Sequence, residues 1–117
     1  MHAEQLALQG MEKPTYDDDA IERANETLRL AREWREENPS AWAFAKNVAC
    51  ALIAEGKRVS GRDIVERIRR RDFTDRHGRP TTTNNDFSPV ISRWLAAEVD
   101  GADALIELRT SPLDEVM

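Results

Sequence analysis

The chain has 117 residues and a formal net charge of −5, with 40% hydrophobic and 33% charged residues. A chain of this length forms one domain with a modest core, and none of its apolar runs approaches the roughly 20 residues that a membrane-spanning helix needs. Its single cysteine, Cys50, excludes an internal disulfide framework. It fits a reducing compartment, and we expect a cytoplasmic protein.

Basic and acidic residues are segregated along the chain. Residues 57–79 contain nine basic and four acidic side chains, whereas residues 1–40 contain ten acidic and five basic ones. A concentrated basic window is typical of a binding patch. The acidic remainder repels phosphate and disfavours tight non-specific DNA binding.

The N-terminal part predicts a flexible segment followed by a helix. Residues 1–16 carry no strong pattern, and we expect them to be flexible. Three aspartates from Asp17 to Asp19 suit a helix start, because carboxylates accept hydrogen bonds from its unpaired N–H groups. An apolar stripe, whose last member is Trp34, predicts a helix over residues 20–37. We expect this stripe to pack against the rest of its own domain. Packing against a second copy, in a homodimer, is the alternative.

A second helix is predicted over residues 41–55, capped by Ser40. Apolar residues cover most of its circumference, which predicts the buried central helix of the fold. Cys50 lies on it among alanines, so we expect a small core residue without catalytic chemistry.

The stretch from Val59 to Arg71 predicts the third helix. Ser60 can cap its start, and Asp63 completes a capping-box pattern. Ile64, Val65 and Ile68 fall on one face at helical spacing and predict a core underside. Arginines occupy the opposite face, which either contacts nucleic acid or is simply solvated.

The remaining elements predict a mixed fold. Residues 81–83 have strand character, Ser88-Pro89 opens a helix to about Glu98, and the alternation over 104–109 predicts a strand. The order predicts an α+β, mostly helical fold, with a winged-helix-like three-helix core and a small two- or three-stranded sheet after an extra N-terminal helix. We expect one domain over residues 17–112 and a loose tail over 113–117.

Catalytic chemistry is poorly represented in the sequence. His2 falls in the N-terminal segment and His77 in a polar loop, and a lone histidine in a loop is far more often solvent-exposed than catalytic. No cluster of ligand residues predicts a metal site, and no glycine-rich loop predicts a phosphate cradle. We therefore expect a non-enzymatic protein without a cofactor.

A nucleic-acid interface is the first functional hypothesis. Side chains from the basic window would contact phosphates of double-stranded DNA, and residues around the start of the fourth helix would contact bases. The candidate phosphate contacts are Lys57, Arg58, Arg62, Arg67, Arg70, Arg71, Arg76 and Arg79. The candidate base contacts are Asn84, Asn85, Ser92 and Arg93.

A protein-binding role is the second hypothesis and stays open. The arginines can instead pair with carboxylates such as Asp63 and Asp75, and the asparagines can be turn residues. About 15 residues separate the third helix from the fourth, far more than the 3–4 of a helix-turn-helix.

From Trp34 to Glu115 the chain resembles a family of small, uncharacterised proteins of actinobacterial phages and prophages. The resemblance lies in short motifs: Asn38-Pro39, the stretch VSGRDIVERIR over residues 59–69, Asn84-Asn85, Phe87-Ser88-Pro89, Arg93, and Ile106-Glu107-Leu108-Arg109. It implies an origin in a mobile element, where small winged-helix-like proteins serve as regulators, excision accessories or inhibitors of host defence. The expected function is thus a DNA-binding accessory or regulator or, alternatively, a protein-binding inhibitor of a host defence complex, of the anti-CRISPR type.

Overall fold

The computed structural model describes residues 15–117, so all but the last two residues of the predicted flexible segment lie outside the described part. The described chain consists of four α-helices joined by loops and short 3-10 helices. The α-helices are α1 (Asp18–Glu37), α2 (Pro39–Ala54), α3 (Gly61–Arg69) and α4 (Ser88–Glu98). The 3-10 helices are Asn85–Phe87, Ala102–Ala104 and Pro112–Glu115.

The predicted α+β winged-helix-like fold is wrong, because residues 15–117 contain no sheet. Two isolated bridges, Val59 with Ile106 and Thr74 with Pro80, are the extended pairings of this part of the chain. On either side of the second bridge, the N–H of Thr81 donates to Phe73 and the N–H of Asp75 donates to Arg79, and the pairing ends in the turn in which Gly78 N–H donates to Asp75. The described protein is therefore all-α.

The segment 104–109 shows why the strand prediction fails. Ala104 still belongs to a 3-10 helix, and Leu108 is largely exposed while Ile106 is buried. The N–H of Val59 donates to the carbonyl of Leu105 at 3.0 Å, but only Val59 and Ile106 form a bridge. Alternation thus buries one side chain without forming a sheet.

Asn38 forms the corner between α1 and α2. Its Nδ2 donates to the carbonyl of Trp34 at 2.9 Å, and its Oδ1 accepts from the Thr81 hydroxyl at 2.8 Å. Pro39 opens α2 at its first position, where a missing N–H costs nothing. The predicted Ser40 cap is therefore replaced by a corner two residues earlier.

Helix α2 is covered on one side only. Its buried residues are Ala41, Trp42, Ala45 and Ala49. Cys50 is exposed, so its prediction as a core residue is wrong. Small residues on this helix give no preference for either side, and only contact with neighbouring helices decides which side is buried.

Helix α3 begins as predicted, with the N–H of Asp63 donating to the Ser60 hydroxyl at 3.3 Å. Ile64, Val65 and Ile68 are buried, which confirms the predicted core underside. Helix α3 crosses α4 at Gly61. A Cβ on Gly61 would lie 2.2 Å from the carbonyl oxygen of Ser88 and 2.3 Å from the hydroxyl of Ser92. Only glycine allows the two backbones to approach this closely.

The 3-10 helix Pro112–Glu115 packs against α1 and buries Leu113. Ser111 caps it, with a reciprocal hydrogen bond from its own N–H to Asp114. This segment includes residues that were expected to form a loose tail, and Leu113 contributes to the core.

A charged and aromatic cluster joins α1, α2 and α4. The guanidinium of Arg35 donates twice to the carboxylate of Glu98, at 2.7 and 2.8 Å. It also lies 4.4 Å from the ring centre of Trp42 and 5.0 Å from that of Trp94. The hydrogen bonds from Arg35 lower the pKa of Glu98 below its ordinary value of 4.5.

Replacing Gly61 by alanine is expected to destabilise the protein by about 1–3 kcal/mol, because the added methyl forces α3 and α4 apart. Urea unfolding followed by circular dichroism measures this. Arg62→Ala is the matched control, since Arg62 is exposed beside Gly61 and surface changes of this kind stay within about 0.5 kcal/mol. Equal midpoints for both variants would contradict the close crossing.

Glu98→Gln is expected to lower stability near neutral pH and to have little effect in acid. A carboxyl whose pKa is lowered by folding stabilises the native state above its unfolded pKa, and this contribution is lost as pH falls through the folded value. Thermal unfolding from pH 7 down to pH 3 measures the difference between the two proteins. A difference that persists unchanged at pH 3 contradicts the role of the ionised carboxylate.

Candidate functional site

Most cations of the basic window are paired with neighbouring carboxylates. The ion pairs are Lys57 with Glu55 at 2.9 Å, Arg58 with Glu107 at 3.6 Å, Arg67 with Asp63 at 2.8 Å, Arg69 with Glu66 at 3.2 Å, Arg76 with Glu37 at 2.8 Å, and Arg79 with Asp75 at 3.3 Å. Phosphate would have to displace or share these carboxylates. The local charge near most of the window is therefore balanced, although its net charge is positive.

Three predicted phosphate contacts make no ion pair within residues 15–117. Arg62 and Arg70 are exposed at opposite ends of α3. Arg71 is also exposed, and its guanidinium lies 4.7 Å from the ring centre of Phe44. These three cations are spread over both ends of one helix.

The predicted base contacts Ser92 and Arg93 are used inside the fold. Ser92 is 8% exposed, and its hydroxyl accepts from the N–H of Gly61 at 3.1 Å. The Arg93 side chain is 10% exposed. It donates to Asp114 at 2.9 Å and to the carbonyls of Pro89 and Arg109 at 3.0 and 2.8 Å. Neither side chain can reach a base edge without giving up these bonds.

Asn84 and Asn85 lie on the surface before α4. Asn84 caps the 3-10 helix Asn85–Phe87, with its Oδ1 accepting from the N–H of Asp86 at 2.8 Å. Asn85 is exposed at the first position of that helix. Asn84 is therefore a turn residue, which was the alternative to a base contact in the sequence analysis.

The structure brings some of the predicted residues together and separates others. Arg62, Ser92 and Arg93 line a groove of about 400 Å³ between the starts of α3 and α4. Arg79 and Asn84 line a different groove. The remaining predicted residues line neither of these two grooves.

This second groove, here called the Trp34 groove, has a volume of about 610 Å³. It lies between the second half of α1 and the loop that carries residues 75–84. Leu30, Trp34, Pro80 and Phe87 give it an apolar lining, with the rings of Trp34 and Phe87 6.2 Å apart. Its volume is in the range of ordinary ligand pockets.

Two buried side chains lining the Trp34 groove carry polar atoms without a partner in the described chain. Trp34 is 6% exposed and its Nε1 donates to no acceptor. Thr83 is 8% exposed and its Oγ1 makes no hydrogen bond. Buried polar groups are nearly always satisfied, and each one without a partner carries a desolvation penalty.

The rim of the Trp34 groove is charged. Glu33, Glu37 and Asp75 line it together with Arg79 and His77. The backbone N–H of Arg79 is the main cause that holds the pKa of Asp75 below its ordinary value, so Asp75 is ionised. Each of the three carboxylates is paired with an arginine: Glu33 with Arg29, Glu37 with Arg76 and Asp75 with Arg79.

His77 meets both a cation and an anion at this rim. Its Nε2 lies 3.3 Å from Nε of Arg76 and 3.0 Å from Oε2 of Glu37. In neutral imidazole this nitrogen can accept from Arg76, which leaves Oε2 of Glu37 without a donor.

The sequence did not identify the Trp34 groove. Trp34 was recognised as the end of an apolar stripe, and Thr83 as part of a short strand. Both assignments come from local patterns, whereas a missing hydrogen-bond partner is visible only when distant segments have been brought together. Only the rim residues Arg79 and Asn84 were among the predicted contacts.

The described residues contain neither a metal-binding cluster nor a membrane-spanning helix. Within residues 15–117, no group of three or more histidine, cysteine or acidic side chains is placed to hold a metal ion. No α-helix in the same range is long and apolar enough to cross a membrane.

No protein family model matches the chain, and comparison with curated proteins and with solved structures finds no similar protein.

Arg93→Ala is expected to destabilise the protein by about 1.5–3 kcal/mol, because a guanidinium that is 10% exposed and donates to three acceptors is removed. Arg67→Ala removes an exposed pair spaced i,i+4 and is expected to cost only about 0.5 kcal/mol. Urea midpoints of both variants test this. Two equally small losses would mean that Arg93 is available for a partner after all.

Proposed function

We propose that this protein acts by binding another protein, without catalysing a reaction, in the manner of a mobile-element inhibitor of a host complex. We place this role in the cytoplasm. The observation that carries the proposal is that the predicted phosphate contacts are mostly engaged in intramolecular ion pairs. Five of them have carboxylate partners.

Counterion release by free cations supplies most of the affinity of proteins for DNA. Cations already matched by carboxylates release little, because the duplex must compete with an intramolecular anion. The overall charge of −5 adds long-range repulsion. Arg62, Arg70 and Arg71 make no ion pair in the described chain, but they lie at opposite ends of α3 and do not form one patch.

The residues available around α4 also favour a protein partner. Arg93 and Ser92 are committed to internal contacts. Asp86, Pro89 and Ala97 are exposed there, and none of them is a cation. Duplex DNA binding stays the competing prediction, since Arg62 and Arg70 are exposed.

Fluorescence anisotropy with a labelled DNA duplex at low salt separates the two functions. We expect no saturable binding by the wild-type protein. Salt-sensitive binding that is lost in the variant Arg62→Glu with Arg70→Glu would contradict the proposal. The control Arg23→Glu with Arg32→Glu changes charge equally at exposed positions of α1.

The complementary measurement is purification of the tagged protein from the cells that encode it, with and without nuclease digestion. We expect a stoichiometric protein partner whose recovery does not depend on nuclease treatment. Recovery of nucleic acid, or of proteins that disappear on digestion, would favour the DNA-binding function.

A further inference from the structure

We propose that residues 74–80 form a flap that opens as a rigid unit, and that Glu37 at the end of α1 is the latch that holds it closed beside the Trp34 groove. This inference does not depend on the proposed protein-binding function. It starts from the difference between the contacts within the flap and the contacts that the flap makes with the rest of the described chain.

The flap is held together by its own hydrogen bonds. The N–H of Asp75 donates to the carbonyl of Arg79 at 2.7 Å, and the N–H of Gly78 donates to the carbonyl of Asp75 at 3.0 Å. The Asp75 carboxylate accepts from the N–H groups of His77 and Arg79 at 2.8 and 3.0 Å. Because these bonds lie within the flap, it can be displaced without losing its own structure.

The base of the flap is fixed to the rest of the fold. The N–H of Thr81 donates to the carbonyl of Phe73 at 2.9 Å. The ring centre of Phe73 lies 5.1 Å from that of Phe44, and the Thr81 hydroxyl donates to Oδ1 of Asn38 at 2.8 Å. Movement is therefore confined to the residues between Phe73 and Thr81.

Every hydrogen bond and ion pair between the flap and the rest of residues 15–117 involves Glu37. The N–H of Arg76 donates to the Glu37 carbonyl at 2.7 Å, and its guanidinium donates to Oε1 at 2.8 Å. Nε2 of His77 lies 3.0 Å from Oε2 of Glu37. One residue of α1 therefore provides all of the polar attachment of the flap within this part of the chain.

The attachment to Glu37 receives little support from apolar burial. None of the flap residues is buried, and Pro80, its one apolar residue, is exposed. Ion pairs between exposed side chains, such as that of Arg76 with Glu37, contribute little to stability and weaken with salt. The closed position is therefore held by a few salt-sensitive contacts.

Closure also leaves one atom of the latch unsatisfied. Oε2 of Glu37 is inaccessible to water and has no donor when Nε2 of His77 is unprotonated. A buried acceptor without a donor costs free energy, and water reaches this oxygen once the flap opens. Few buried contacts and an unsatisfied acceptor are the conditions under which a segment opens locally while the core stays folded.

Opening of the flap changes the Trp34 groove. Helix α1 lines one side of this groove, and the flap contributes Asp75, His77, Arg79 and Pro80 to its lining. Displacement of the flap therefore widens the groove, while the side formed by α1 keeps its place.

Amide hydrogen exchange of the full-length protein, followed by nuclear magnetic resonance, tests the flap. The Arg76 amide reports opening, whereas the amides of Asp75 and Thr81 report the bonds within the flap and at its base. After correction for intrinsic rates, we expect the Arg76 amide to exchange fastest of the three, and to accelerate as salt is raised. Equal exchange of all three amides, or an Arg76 rate that does not depend on salt, overturns the inference.

Glu37→Ala removes the latch carboxylate and keeps the backbone carbonyl that accepts from the Arg76 amide. We expect it to accelerate exchange of this amide about tenfold, the value of one charge-assisted hydrogen bond, and to leave Asp75 and Thr81 unchanged. Glu36→Ala is the matched control, because Glu36 is exposed one residue earlier on α1. Equal Arg76 rates in the two variants contradict the latch.

The double variant Arg76→Ala with His77→Ala removes the same contacts from the exposed side, and it keeps the test decisive if Glu37→Ala does not fold. The amide of residue 76 should again exchange about tenfold faster than in the wild-type protein. Arg79→Ala is the control, since the ion pair of Arg79 with Asp75 lies within the flap. An equal acceleration in this control means that the flap unfolds instead of moving as a unit, which overturns the inference.

Discussion

The close contact between α3 and α4 is the constraint on which the rest of the structure depends. Gly61 lets the start of α3 touch the backbone of Ser88 and the hydroxyl of Ser92. At this distance the fully buried side chains of Ile64, Val65 and Ile91 form one core. At the same contact the Ser92 hydroxyl accepts a hydrogen bond from the N–H of Gly61. The close packing of α3 and α4 therefore leaves this hydroxyl unavailable to a binding partner.

Arg93 follows the same logic one residue further along α4. Its guanidinium holds the segment from Arg109 to Asp114 against the helix. Arg93 therefore stabilises the fold. An arginine can in general donate to a guanine base, but this one already donates to acceptors within the protein. Helix α4 carries no other cation, and Asp86 is exposed before its start. The proposed function therefore does not depend on the Arg93 guanidinium, which is used within the fold.

The sequence predicted the four helices and the buried faces of α1 and α3 well, because these depend on local periodicity and capping. Asp17 caps α1 and Ser60 caps α3, as expected, and the stripe that ends in Trp34 is buried. The sheet was not predictable in the same way. Alternation over 104–109 shows which side chain is buried, but a strand also requires a neighbour with free N–H and C=O groups, and residues 57–59 supply only one bridge.

The candidate site was less predictable than the fold. The chemical type of arginine and asparagine says what they can bind, whereas their availability depends on carboxylates that are distant in sequence, as with Arg76 and Glu37. Cys50 fails for a related reason, since a small side chain suits either face of a helix. The Trp34 groove is formed by segments about forty or more residues apart along the chain. A local sequence pattern therefore could not predict it.

The contact between α1 and the 3-10 helix Pro112–Glu115 has a consequence for biosynthesis. Helix α1 leaves the ribosome early, but the side chain of Leu113 that packs into the same core is added almost a hundred residues after Asp18. The part of the α1 stripe that Leu113 covers therefore stays exposed while the intervening chain is made, although α2 and the 3-10 helix Asn85–Phe87 already contact α1. Non-local contacts of this kind slow folding and expose hydrophobic surface meanwhile. The acidic and basic residues that cover the outer face of α1 keep this waiting helix hydrated, and the native core closes only after translation has passed Leu113.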